Sequence, residues 1–259
     1  MEAVTALRPE AFVLGLLFAS LRTGAALALL PALGGQLIPV RVRIGLSGAI
    51  GFLVMGSQHA PAPPDDMLSM VGMLAVAGEL LVGAVAALSL HAAFAVAAIA
   101  GEWVAQAMGI GFAMAMDPGA PPAPVVSALF VLLMWAIFLQ TGGHLLLIRL
   151  LVESYAAMPS GAALLEADRL WKLAGWGGLA VAGGVLAALP LGAALLLVNL
   201  ALAVAARSAP QLGLFSIGFP LMLLVGLVGL PLMLPGLADS FAGALATMHG
   251  QLSAVLLGG

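Results

Sequence analysis

Few side chains in this 259-residue chain could do chemistry: it has eight Lys plus Arg, eleven Asp plus Glu, four His and no Cys. Arg22, Glu79, Glu102, Asp117, Arg149, Glu153 and Arg207 stand in or beside apolar runs, where an insertion scale puts the cost of a charge at about 2.5–3.5 kcal/mol. Glu79, within "VAGELLVGAV", has no cation near it in sequence, so it is protonated, paired with a residue distant along the chain, or lining water. Two roles fit it: a proton relay in a transporter, or a buried interhelical hydrogen bond. Glu102 has the same choice nearer a segment end, and Asp117 stands before Pro118. Arg149 and Glu153, four apart, suit a local intrahelical pair. Arg207 follows a long apolar run, where it would snorkel or cap helix carbonyls.

Catalytic patterns are missing from the sequence. His59, His91, His144 and His249 show no H-E-x-x-H pair or His-plus-carboxylate spacing, so a metal site is not indicated. G-x-S-x-G and the phosphate-cradling loop are also absent, and without cysteine there is neither a thiolate ligand nor a thiol nucleophile. The chain therefore reads as a non-enzyme without a cofactor. A net charge of −3 with scattered cations offers no face for nucleic acid.

The elements that position these residues are membrane helices. Hydrophobic residues make up 63% of the chain and charged residues 7%, with a mean hydropathy of +1.21, too little polar surface to clothe a soluble fold. The N-terminus lacks a basic n-region and Arg22 interrupts its apolar run, so it reads as a retained first span. The expected fold is all-α, a polytopic helical membrane protein forming one domain over residues 1–259. About six apolar segments are expected, at 11–33, 44–60, 68–99, 125–150, 174–205 and 212–237. The third and fifth runs exceed one simple span, and Pro190 should kink the latter. Glu166, Asp168, Arg169 and Lys172 are spaced for the polar face of a short surface helix. Arg41 with Arg43, and Arg169 with Lys172, both favour the cytoplasm, a demand that leaves the topology open. Frequent Gly and Ala within the runs favour close helix packing.

Four stretches, "PALGGQLIPVRVRIGLSGAI", "GEWVAQAMGIGFAMAMDP", "FLQTGGHLLLIRLLVESYAAMPSG" and "LLLVNLALAVAARSAPQLGLFSIGFPLMLLVGL", together resemble the FliR family of flagellar export-gate components. That family has counterparts in virulence-type III secretion; "FSIGFP" and "GGHLLLIR" favour the flagellar branch. "APQLGLFSIGFP" is the most specific piece, although Gly213 stands where the family usually carries a polar residue.

The resemblance implies a subunit of tilted, kinked helical hairpins in a hetero-oligomeric export gate with FliP-like and FliQ-like subunits and a FlhB-like neighbour. The gate lies in the bacterial inner (cytoplasmic) membrane at the flagellar basal body, and unfolded flagellar proteins pass through it. It further implies that the segment after Gly101 lies at the conduit's closed constriction. Gln106, Met108, Phe112, Met114 and Met116 would then face the pore as a deformable plug, with Gly109, Gly111 and Gly119 as hinges. Ordinary gap filling in a membrane core fits the same methionines. From another class, a proton-coupled secondary transporter of small solutes would use Glu79 and Glu102 as relays, although no inverted repeat of hydropathy is evident.

Overall fold

The computed structural model describes residues 9–31, 39–57, 61–64, 66–110, 125–159, 164, 166–208 and 218–258, and these contain helices and no strand. Among the described residues seven helices are defined: α1 (Pro9–Leu29), α2 (Val40–Met55), α3 (Met70–Ala107), α4 (Val125–Gln140), α5 (Gly143–Ala157), α6 (Ala167–Ser208) and α7 (Phe219–Leu256).

Local chemistry sets several of their ends. Pro9 opens α1, where its missing N–H costs nothing, and Glu10 in the first turn complements the helix dipole. Gly142, at φ 69°, takes a left-handed conformation that breaks the apolar run into α4 and α5, bent by 64°. Thr141 closes the α4 side by donating its hydroxyl to the Ile137 carbonyl at 2.8 Å. Gly109, at φ 79°, stands just beyond the end of α3 in the same left-handed region.

Among the described residues α1, α3, α6 and α7 are each long and apolar enough to cross a membrane, and the bent α4–α5 pair, counted as one span, would make five. The chain is a polytopic helical membrane protein. The expectation of six segments is corrected in particular ways. The 125–150 run is two helices, and α2 is only 16 residues long. α7 continues to Leu256 because Leu237, Phe241, Leu245, Met248, Leu252 and Val255 form a buried stripe at helical spacing. The charged stretch at 166–172 is no separate surface helix: Asp168, Arg169 and Lys172 occupy the first turns of α6, which runs 42 residues through Pro190. At 1.5 Å per residue the three longest helices reach about 57–63 Å, roughly twice the hydrocarbon thickness, so each tilts or projects beyond it.

The chain divides into two compact units, with the division falling inside α3, α6 and α7. One comprises residues 1–92, 142–176 and 247–259; the other comprises 93–141 and 177–246. In the first, α1 and α2 pack antiparallel: Gly15 lies against Met55, Ser20 against Gly51, and Gly24 against Ser47. Ser47 Oγ donates to the Ser20 carbonyl at 2.8 Å. Ala19, Ile50, Val54 and Tyr155 form a buried cluster that brings α5 onto this hairpin.

The second unit is held by side chains seated on glycines. Ile99 of α3 packs on Gly184 of α6, Leu191 of α6 on Gly229 of α7, and Gly101 lies on the Ser127 backbone of α4. Phe94, Trp135 and Phe138 add an aromatic cluster, with ring centroids 4.4–6.0 Å apart.

Candidate functional site

Arg22 on α1 is fully buried, at 0% exposure, and a guanidinium in such a place is tolerable only if its donors are satisfied. Glu79 on α3, 1% exposed, meets it side-on: Arg22 Nε donates to Glu79 Oε2 and Nη2 to Oε1, both at 2.9 Å. This is the bidentate fork that suits guanidinium to carboxylate. Nη1 donates to Ser154 Oγ at 2.7 Å, and Nη2 donates also to the Met158 carbonyl at 2.9 Å.

α5 thus supplies two neutral acceptors, and the Met158 carbonyl at its C-terminus carries the negative end of the helix dipole. Ser154 in turn donates to the Leu151 carbonyl at 2.6 Å. The guanidinium carbon lies 4.1 Å from the centroid of the Tyr155 ring, a cation–π contact. Tyr155 Oη donates to the Ala19 carbonyl at 2.6 Å and ties α5 to α1 a second time.

One glycine makes the approach of α1 and α3 possible. Gly83 is one turn beyond Glu79, and a Cβ there would run into the carbonyl oxygen of Arg22 itself and come within 2.8 Å of Ala25 Cβ. The backbones therefore touch beside the point where the charges must meet. The arrangement joins three helices through one cation, and its chemistry is that of a fixed clamp: both Glu79 oxygens are engaged, and a proton relay through Glu79 would have to break the fork.

Sequence reasoning flagged Arg22 and Glu79 separately but did not pair them, and it missed Ser154, Tyr155 and Met158. The one available signal was that Tyr155 is the only tyrosine in the chain.

The remaining sequence candidates fall elsewhere. Glu102 is exposed and accepts from Gln106 Nε2 at 3.0 Å, and Arg207 is exposed in the last turn of α6. Neither is buried within the chain itself. Met108 is buried, with its side chain over Gly226 of α7. Phe112, Met114, Met116, Asp117, Gly111 and Gly119 lie outside the described residues.

Arg149 and Glu153 form an exposed pair at 2.7 Å, four residues apart on α5. Arg169 pairs with Glu166, and Lys172 with Asp168. Arg169 Nη1 also donates to the Val255 carbonyl near the end of α7. His91 Nε2 donates to the Leu29 carbonyl at 2.7 Å, capping α1. Among the described residues no three His, Cys, Asp or Glu side chains gather as a metal site would need.

The family model described as Bacterial export proteins, family 1, matches residues 13–248. The chain belongs to this family. Its relatives carry the name Flagellar biosynthetic protein FliR. The one from Pectobacterium carotovorum subsp. carotovorum is 37% identical over 206 residues, covering 79% of this chain and 78% of the relative. That of Escherichia coli K12 is 35% identical over 219 residues, covering 84% and 83%. That of Aquifex aeolicus is 34% identical over 249 residues, covering 91% and 90%. This export-family membership spans α2 to α6 entirely and reaches into α1 and α7, so the buried clamp lies wholly within the matched region.

Proposed function

We propose that this chain is a structural and gating subunit of the flagellar type III protein-export gate in the bacterial cytoplasmic membrane, at the flagellar basal body. With FliP-like and FliQ-like subunits, and a FlhB-like neighbour, it would build the conduit for unfolded flagellar proteins. The carrying observation is the export-family match over residues 13–248, with relatives that are flagellar proteins along most of their length.

The distribution of apolar surface supports an assembled role. Only 22% of the most apolar window of α6 and 17% of that of α7 is buried within the chain, so partner helices or lipid must cover the rest. The Arg22 clamp on Glu79 weighs against the transporter alternative, because that acid is held in a fork. Affinity purification of the natively tagged chain from mild-detergent extracts tests the proposal. FliP-like and FliQ-like proteins should co-elute in a fixed ratio; elution alone or as a homo-oligomer refutes it.

Within this reading, the segment from Gln106 through Phe112, Met114 and Met116 forms the plug, hinged at Gly109, Gly111 and Gly119. Gly109 already holds the left-handed conformation of a turn, and Gln106 is exposed. Met108, seated over Gly226, would contribute from behind the plug. Alanine at both Phe112 and Met116 should raise ion leakage through assembled gates. Unchanged leakage and export would remove the plug role.

A further inference from the structure

Within the second unit, the C-terminal half of α3 is held against α4, α6 and α7. Toward α4, Gly101 lies on the Ser127 backbone, and Ser127 Oγ donates to the Ala98 carbonyl at 3.2 Å. Toward α6, Val96 and Ile99 seat on Gly183 and Gly184. Toward α7, the seat lies at the very end of the helix. Met108 is 3% exposed and wraps Gly226 with its whole side chain: a Cβ there would fall 2.5 Å from Met108 Cγ and 2.6 Å from Sδ, and closer still to Cε. The Phe219 ring, in the first turn of α7, lies 3.3 Å from where a Cβ on Gly109 would stand.

The helix ends at the same place. Met108 N–H donates to the Val104 carbonyl at 2.9 Å and Gly109 N–H to the Gln106 carbonyl at 3.0 Å, and the left-handed φ of 79° at Gly109 then takes the chain out of the helix. Interdigitated packing of this kind has discrete positions rather than a sliding range, so α3 shifts against α7 only by withdrawing Met108 and leaving the Gly226 notch empty. Gly109 has no side chain to withdraw. We infer that α3 as far as Met108 is a fixed mount: it keeps its seat on α7 while an exported chain passes, and whatever yields in the gate does so from Gly109 onward. The inference rests on the export-gate reading and sharpens it, because Gln106 then belongs to a fixed rim and Gly109 is the hinge where yielding begins.

The chain has no cysteine of its own, so Met108→Cys with Gly226→Cys can form only one internal disulfide. The sulfur at 108 takes the place of Met108 Cγ, 2.5 Å from the new Cβ and within disulfide reach, and the shorter side chain vacates the room that the second cysteine needs. In cells carrying this variant, maleimide counting should show the pair closing under mild oxidant, and secretion of flagellar protein should be equal in the oxidised and reduced states. Failure of the pair to close overturns the mount, as does secretion lost on oxidation and regained with reductant; both leave the export-gate reading standing. Secretion that persists in a strain lacking the chain refutes that reading, and the mount with it. Met108→Cys alone covers the case in which the pair does not accumulate. Buried as Met108 is, its replacement thiol should react with maleimide equally slowly in idle gates and in gates stalled by a substrate fused to a stably folded domain. Faster labelling in stalled gates overturns the inference, because residue 108 has then left its seat.

Discussion

Removing Arg22 should be among the most damaging single changes in the first unit, and the structure sets the scale. Arg22→Met leaves Glu79 ionisable and 1% exposed with no cation, and strips donors from Ser154 and the Met158 carbonyl. Breaking a buried pair from one side costs about 3–5 kcal/mol. In a chain of this size each kcal/mol shifts the melting midpoint by about 2–4 °C, so a fall of roughly 6–20 °C is expected. Glu79→Gln should be as damaging, at about 3–5 kcal/mol, because the guanidinium cannot shed its charge and keeps only the neutral acceptors Ser154 and the Met158 carbonyl and the Tyr155 ring. The diagnostic variant is the double one, Arg22→Met with Glu79→Leu. It removes both charges, leaves no orphan ion and loses mainly two hydrogen bonds from α5 acceptors, a cost of about 2 kcal/mol. The assay is the thermal midpoint of the purified chain in detergent, with swarming motility of the same strains alongside. The double variant should be more stable than Arg22→Met and should swarm. If the two single costs simply add, the pair is not a coupled clamp. If the double variant is stable but wholly non-motile, the charges serve transport rather than structure.

Three further outcomes follow from neighbouring geometry. Gly83→Leu should prevent accumulation of the chain, at a cost of about 3 kcal/mol or more, because its neighbour is backbone and cannot yield. Gly45→Leu, where nothing lies within 4 Å, should leave accumulation unchanged on immunoblots of membranes, and equal loss of both would refute the close approach. Tyr155→Phe should cost about 1 kcal/mol, read as a small drop in melting midpoint, since only the bond to Ala19 is lost. Tyr155→Leu should cost about 2 kcal/mol more by removing the ring beneath the guanidinium. Arg169→Ala should speed hydrogen exchange in the last turn of α7 about tenfold or more, because one charge-assisted bond to the Val255 carbonyl disappears. Exchange confined to its wild-type rate would show that the turn holds without it.

Helical class and membrane character were legible from composition, since no soluble fold could cover 63% hydrophobic residues with 7% charged ones. Element boundaries were less so, for particular reasons. "QTGGH" carried the break between α4 and α5, but hydropathy is continuous across it and only the sign of φ at Gly142 reveals the bend. Glu166, Asp168, Arg169 and Lys172 read as a short surface helix of their own, yet α6 runs from Ala167 straight on through Gly175, Gly177 and Gly178. In lipid, intrahelical hydrogen bonds are the only ones available to the backbone, so glycine there loses much of its power to break a helix. The stripe that extends α7 was written plainly at 237–256 and was hidden by Asp239, Ser240 and Thr247 on the other faces. The clamp was invisible for another reason. Its partners are 57 and 132 residues apart, and a single sequence shows which charges need partners but not which ones meet.

The two units solve one physical problem in different ways. Between helices in lipid there is little hydrophobic drive to associate, so contact must come from close packing or from polar groups with no better partner. The first unit uses a charge whose donors are shared by α1, α3 and α5, and this arrangement resists partial opening because each intermediate leaves an ion unpaired. The second unit uses side chains in glycine notches, as at Gly184 and Gly229, where each contact is weak alone and separable from its neighbours. Much apolar surface of α6 and α7 remains uncovered after both devices have acted. Anything that covers that surface in the native chain stabilises it by mass action, whereas the clamp holds the first unit together without such cover. Under the proposed export-gate role, loss of Arg22 should therefore be felt first as a chain that fails to accumulate, rather than as a gate that forms and fails to work.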